Sequence, residues 1–239
     1  MPKRIIYFFV GVILTFLFVI FSYLVHKNLF IQLDFNTTVR FQDHISRRFD
    51  FLFSILSSIG TFEVMTIVLL VLLLFAKQLR AGIITFVFFV GFHLIEIYGK
   101  YFVHHPPPPQ FMLRTLNLIQ FSPFTVREVN SYPSGHSGRA MFISAILFVF
   151  ILQSKKINLN TKIVFFCLVI FYDITMFVSR IYLGEHWLSD VIGGMILGSA
   201  LGLFAGVFIK EKHNVSHVIH ERKKKGLFSK YKIEIKKVE

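Results

Sequence analysis

The sequence predicts an all-α, polytopic membrane protein: a six-transmembrane-helix bundle. Three observations carry that reading. Only 16% of the 239 residues are charged, while 54% are hydrophobic and 31 are Phe; a soluble domain carries about 25% charged residues. Uncharged runs of membrane-crossing length open and close the first 209 residues. Basic residues are divided unevenly between alternate connecting segments.

The spans follow in order. Ile5–Val25 and Val191–Ile209 carry no charged residue, and about 20 apolar residues cross a bilayer as a helix. Lys3 and Arg4 precede the first run as they would a signal peptide. The run is longer than a secretory h-region, however, and no small-residue cleavage site follows, so it reads as a retained helix. The second span is Val64–Ala76, strongly apolar, with the mixed stretch Phe51–Phe62 before it. The third is Ala81–Tyr98, which includes Glu96; the fourth is Ala140–Gln153; the fifth is Ile163–Val178, interrupted by Asp173. A charge at mid-membrane is costly and faces the bundle interior, so Glu96 and Asp173 are expected to point inward. Gly194, Gly198, Gly202 and Gly206 recur every four residues on the last span. Such a stripe lets two backbones approach, here read as packing within the bundle rather than a dimer seam; oligomeric state is not otherwise indicated. The single cysteine, Cys167, excludes an intramolecular disulfide and a cysteine metal cluster, and its apolar neighbours predict a buried, inert thiol.

Orientation follows from the basic residues. With the N-terminus inside, the inner segments hold 17 Lys and Arg and the outer ones 9, of 26 in all. Both termini are therefore expected in the cytoplasm, with segments 26–61, 99–139 and 179–190 outside. The chain divides into a membrane domain, 1–209, and a basic cytoplasmic tail, 210–239. The tail's Arg222–Lys225 run reads as a topology anchor drawn to anionic lipid. No aromatic or fold signature accompanies it, which argues against a nucleic-acid role.

The outer segments carry the chemistry. His186 and Asp190 are four residues apart, one above the other on a helix face. A carboxylate beside an imidazole fixes its tautomer and leaves the second ring nitrogen able to attack. Arg180 precedes them with a planar fork suited to phosphate oxygens. Ser134 and Gly135 can present a hydroxyl and backbone N–H groups where the fourth span begins, an anion-binding position. His136, in that helix's first turn, can donate a proton to a leaving oxygen. Each cluster alone has a plainer reading: a surface pair or two metal ligands for the first, an ordinary helix cap for the second. Lys100 ends the third span, and Glu96, four residues earlier, is placed to pair with it. His93 lies on an apolar span and reads as a satisfied core histidine, and Trp187 as an interfacial aromatic.

Together, Pro133-Ser134-Gly135-His136 and Ser179-Arg180-x5-His186-x3-Asp190 resemble two motifs of the type 2 phosphatidic acid phosphatase superfamily of membrane lipid phosphatases. The resemblance covers about residues 60–209. It implies a phosphatase of membrane lipid phosphates working at the outer face of a bacterial inner membrane. It implies that His186 takes the phosphoryl group, Asp190 orients it, and His136 protonates the leaving oxygen and later assists water. Lys100, Ser134, Gly135 and Arg180 would hold phosphate oxygens. The family's mechanism uses no metal and no cofactor. The partners implied are the bilayer and a lipid phosphate, with undecaprenyl diphosphate, phosphatidylglycerophosphate and the 1-phosphate of lipid A as candidates.

The family's first motif, Lys-x6-Arg-Pro, is met by Lys100 and Pro108 but has Pro107 at the arginine. Proline offers neither charge nor donor. Arg114, Arg127 or the His104–His105 pair are the candidate replacements. The alternative is a catalytically impaired membrane protein that binds lipid phosphates. A transporter would need Glu96 and Asp173 to line a path, and two acids do not make one. The related haloperoxidases are soluble, which the six spans oppose.

Overall fold

The computed structural model describes residues 3–76, 78–116 and 130–209, and the regular structure among them is helical throughout. The tail at 210–239 and Arg127 lie outside the described residues. The helices are α1 (Lys3–His26), α2 (Ile31–His44), α3 (Asp50–Ile59), α4 (Phe62–Ala76), α5 (Leu79–Phe102), α6 (Gly135–Gln153), α7 (Leu159–Tyr182) and α8 (Leu188–Gly206). Single 3-10 turns stand at Arg47–Phe49 and Gln110–Met112.

Five helices, α1, α5, α6, α7 and α8, are long and apolar enough to cross a membrane. The second expected span is a broken one: Arg47–Ile59 and Phe62–Leu74 pass the same test together but are bent by 54°. The chain is thus a multi-pass membrane protein of five spans, or six with the broken pair. Segment 26–61, expected as a connecting loop, is instead largely helix, as α2 and α3. The polar residues of α2 hide it from a search for apolar runs. They are used locally, as in the 2.9 Å bond from Gln32 to Asn36, while Asp34 and Thr38 are buried toward the neighbouring helices α7 and α8.

The centre of the bundle is the pairing of α6 with α8, the most extensive contact between any two helices, with α1 and α5 also laid against α8. The glycine stripe makes this approach possible. A Cβ added at Gly198 would press on the Gly138 backbone, one at Gly202 would meet Ala145 Cβ at 2.8 Å, and one at Gly206 would meet Val149 Cγ2 at 2.8 Å. The stripe therefore serves packing inside the bundle, as expected. Phe89, Phe142, Ile146, Val149 and Met176 fill the space beside it, where close van der Waals packing rather than exclusion of water holds membrane helices together.

Asp173 is buried and accepts a 2.9 Å bond from Ser144 Oγ, so it points inward as expected. Cys167, expected to be buried, is exposed on α7. Its neighbours Phe165, Leu168 and Phe171 are exposed too. In a membrane helix apolar company marks the lipid-facing surface as readily as the core, and that is where the expectation went wrong.

One end of the bundle is tied shut. Arg4 donates to the carbonyl of Ile209 at 3.2 Å and Lys3 to that of Leu152 at 3.4 Å, which sets the start of α1 beside the ends of α6 and α8. At the opposite end the close of α1 meets the residues after α5, where the His104 N–H donates to His26 Nδ1 at 3.1 Å.

Candidate active site

Four helix ends build the site: the close of α5, the start of α6, and the close of α7 with the start of α8 joined by a turn. The turn depends on Gly184, whose φ of +69° only glycine adopts without strain. It reverses the chain so that the amides of Glu185 and His186 both donate to the Arg180 carbonyl at 3.2 Å. His186 is thereby folded back beneath Arg180. Asp190, in the first turn of α8, accepts from the Trp187 N–H at 2.9 Å and lies 3.4 Å from His186 Nδ1. Asp190 is fully buried and His186 nearly so. With Nδ1 committed to the carboxylate, Nε2 is the ring nitrogen available for chemistry.

Ser134 precedes α6 as its N-cap, and Gly135 and His136 form its first turn, as the motif required. The Ser134 N–H donates to the Asp190 carbonyl at 3.0 Å, and this bond locks the start of α6 to the start of α8. Arg180, Arg139, His186 and Lys100 all lie within electrostatic reach of His136. Residues far apart in sequence are therefore brought together around one imidazole. Lys100 Nζ is 3.5 Å from Glu96 Oε1, the i,i+4 pair that the spacing predicted. Arg180 is buried and pairs with Ser57 Oγ and the Glu185 carboxylate; Glu185 also accepts from Thr115 Oγ1.

The sequence reading missed three residues here. The first is Arg139. It is buried; its Nε donates to the Gly60 carbonyl at 3.1 Å, one terminal nitrogen pairs with Glu96 at 3.3 Å, and the other lies 3.4 Å from His136 Nδ1. The break between α3 and α4 frees that Gly60 carbonyl, so the bend in the broken span and the seat of Arg139 have one cause. A guanidinium only donates, so His136 Nδ1 accepts and the ring proton resides on Nε2. The signal was available: Arg139 follows His136 by three on a helix. The second is Asp34 on α2, which accepts from the Ser189 N–H at 2.8 Å and the Ser189 hydroxyl at 2.7 Å. No motif or spacing pointed to it. The third is Glu185, which the motif spacing treats as unspecified.

Of the candidate replacements for the missing arginine, Arg114 has its guanidinium 5.1 Å from the Tyr182 ring centre. His105 is buried, with Nδ1 2.7 Å from Asp190 Oδ1 and Nε2 3.4 Å from Asp34 Oδ2. Burial opposes a charge on this ring, but the hydrogen bonds and charges of Asp190 and Asp34 outweigh it and hold its pKa up to about 9. His105 therefore faces carboxylates rather than a phosphate position. The guanidinium found against the motif histidine is that of Arg139. Trp187 donates from its indole N–H to the Pro106 carbonyl at 2.8 Å and so fastens the proline run to α8. His93 Nδ1 is 3.1 Å from Glu96, which ties it to the same cluster as Lys100.

The fold and this cluster define a membrane helix bundle with paired histidines, a carboxylate and cationic side chains at one end. The chain belongs to the PAP2 superfamily, whose family model matches residues 67–213. It is similar over 81 residues to the dihydrosphingosine 1-phosphate phosphatase of Saccharomyces cerevisiae, at 35% identity, covering 34% of this chain and 20% of that protein. It is 30% identical over 81 residues to phosphatidylglycerophosphatase B of Bacillus subtilis, covering 34% of this chain and 40% of that one. The matches thus span less than half the length of these relatives. Among solved structures, the transmembrane PAP2-type phosphatidylglycerolphosphate phosphatase of Bacillus subtilis superposes with a TM-score of 0.67 at 19% identity. It covers 85% of this chain and 98% of that one. LpxE of Aquifex aeolicus superposes with a TM-score of 0.53 at 21% identity, over 72% and 94%. Both likenesses are in fold.

Proposed function

We propose that this protein is an integral-membrane lipid phosphatase. It hydrolyses a phosphomonoester or diphosphate headgroup through a phosphohistidine. The observation that carries this reading is the convergence of the His186–Asp190 pair, His136, Lys100 and Arg180 at one end of the bundle. Positioning and charge are most of what phosphoryl transfer requires of a protein.

In this mechanism His186 Nε2 attacks phosphorus while the bond from phosphorus to the lipid oxygen breaks. Asp190 balances the charge that develops on the imidazole. His136, protonated to the imidazolium when the negative phosphate is bound, passes its Nε2 proton to the departing oxygen and is left neutral. Water then attacks the phosphohistidine, His136 takes up a proton from it, and inorganic phosphate leaves with His186 regenerated. Lys100, Arg180, the Ser134 hydroxyl and the start of α6 neutralise the phosphoryl oxygens. Arg139 supplies, from α6, the second guanidinium that Pro107 removes from the first motif. That placement favours a working enzyme over a binding protein with an impaired site.

The protein is expected in a bacterial inner membrane with both termini cytoplasmic and the site on the periplasmic side. The relatives' names point to lipid monophosphates, and undecaprenyl diphosphate remains a candidate beside lipid A 1-phosphate and phosphatidylglycerophosphate. Phosphate release by the purified protein from each lipid in detergent tests the proposal. Release from at least one, lost in His186→Ala, is the expected result; no release from any lipid phosphate or diphosphate would refute it.

A further inference from the structure

Asp190 is held from two sides. His186 Nδ1 lies 3.4 Å from one of its oxygens, but His105 Nδ1 lies 2.7 Å from the other, so the tighter contact comes from one of the unspecified positions of the first motif. The second nitrogen of His105 faces Asp34 at 3.4 Å, and Asp34 is itself anchored on Ser189 at the start of α8. Asp34, His105 and Asp190 are all buried. A neutral imidazole has one N–H, and two carboxylates on its two nitrogens call for two. Without a cation between them, two buried carboxylates raise one another's pKa, and one takes up a proton. The backbone of His105 is fixed from behind as well. The His105 N–H donates to Asn130 Oδ1 at 3.0 Å, and its carbonyl accepts from the Ser131 N–H at 2.9 Å and the Ser131 hydroxyl at 3.0 Å.

We infer that His105 is a positioning residue for phosphoryl transfer: as a buried imidazolium shared by Asp34 and Asp190, it fixes the carboxylate that aims His186. The inference rests on the phosphatase reading above and adds a fifth helix, α2, to the machinery. With one oxygen fastened to His105, the Asp190 carboxylate cannot turn away, and its other oxygen stays directed at His186. The charged groups facing His105 are Asp190 from α8 and Asp34 from α2; Ser131 and Asn130 face it as neutral partners. Its pKa, about 9 in the fold, stands above the unfolded value of about 6.5. The stabilisation is therefore complete below about 6.5 and is lost as pH rises through the folded value.

The experiment compares the purified full chain with His105→Gln and Asp34→Asn in detergent. His105→Gln should lower kcat about ten-fold or more with KM within about two-fold, and should trap less phosphohistidine on rapid quench. Asp34→Asn, which removes one of the two carboxylates, should move the alkaline limb of kcat to lower pH. Loss of folded protein alone produces neither the split between kcat and KM nor a displaced limb. A second readout needs no turnover. The melting temperature of the wild type should exceed that of His105→Gln at neutral pH, and the gap should close as pH passes the His105 pKa. Unchanged kcat with superimposable alkaline limbs, or a melting gap independent of pH, would overturn the assignment. If the wild type hydrolyses no lipid phosphate while the melting gap still closes, the phosphatase reading fails and the charge bridge stands.

Discussion

Replacing Gly198 by alanine tests whether the seam between α6 and α8 sets the geometry of the site. An added methyl would press hardest on the Gly138 carbonyl oxygen and would sit 2.8 Å from its carbonyl carbon and 3.0 Å from its Cα. Unstrained carbon pairs rest at about 3.5–4.0 Å, so the two helices must part by about 1 Å. Overpacking of this kind costs about 1–3 kcal/mol. Alanine returns about 1 kcal/mol of helix propensity, which leaves a net loss of roughly 0–2 kcal/mol. The same movement draws Ser134 from Asp190, now joined at 3.0 Å, and carries His136 away from His186. A misplacement near 1 Å costs on the order of 100-fold in rate, so activity should fall much further than stability. Gly91→Ala is the control, because a Cβ there meets nothing within 4 Å; it should be neutral or stabilising by up to about 1 kcal/mol. Thermal unfolding in detergent and phosphate release from the best lipid substrate measure the two effects. The reasoning is refuted if Gly198→Ala matches the wild type in both, or if Gly91→Ala is equally damaging.

Other expectations follow from the site. His186→Ala should abolish turnover and the acid-labile, base-stable phosphoenzyme seen after rapid quench with labelled lipid; full activity would remove His186 as the nucleophile. Asp190→Asn should lower kcat by up to about 10⁴-fold and, because it removes one end of the His105 bridge, also lower the melting temperature, so rates are read well below the transition on protein shown to be folded. Arg139→Lys, which keeps the charge but not the planar fork, should lower kcat by about ten-fold, while Pro107→Arg should change KM little if, as proposed, Arg139 supplies the missing guanidinium; a large fall in KM for Pro107→Arg would refute that substitution of one arginine for the other. A reporter fused after Glu239 should be active only if it works in the cytoplasm, and a periplasmic signal would overturn the orientation.

Much of the fold was legible because lipid imposes a simple rule on composition. Long uncharged runs can only be spans, and α1 and α8 were bounded within a few residues. The same rule hid what does not obey it. The residues of α2 are too polar to register as a span, and nothing in the spacing of Asp34 hints at a partner more than 150 positions away. The bend at Gly60 was invisible because composition reports how apolar a segment is, not whether it is straight. Cys167 shows the ambiguity from the other side, since apolar surroundings do not distinguish lipid from core. The site was legible where chemistry demands fixed spacing, as for His186, Asp190 and the turn at Ser134–His136. Arg139 was readable in principle from its helical register with His136. His105 was noticed for the right reason, its place beside the altered motif, but was given the wrong partner: its ring meets carboxylates, which only the folded arrangement brings to it.

The unequal cover of the helices has a consequence for how this protein can change. In their most apolar stretches α6 is 67% buried and α8 56%, against 6% for α1 and 11% for α7. A bilayer that thickens, thins or changes its acyl chains presses chiefly on α1 and α7, while the two helices that carry His136 and Asp190 are jacketed by protein. The outer helices act as a buffer between the host membrane and the chemistry. Sequence drift should therefore be steep along the outward faces of α1 and α7, where one apolar side chain serves as well as another. It should be nearly arrested along α6 and α8, where each substitution is felt at the opposite histidine.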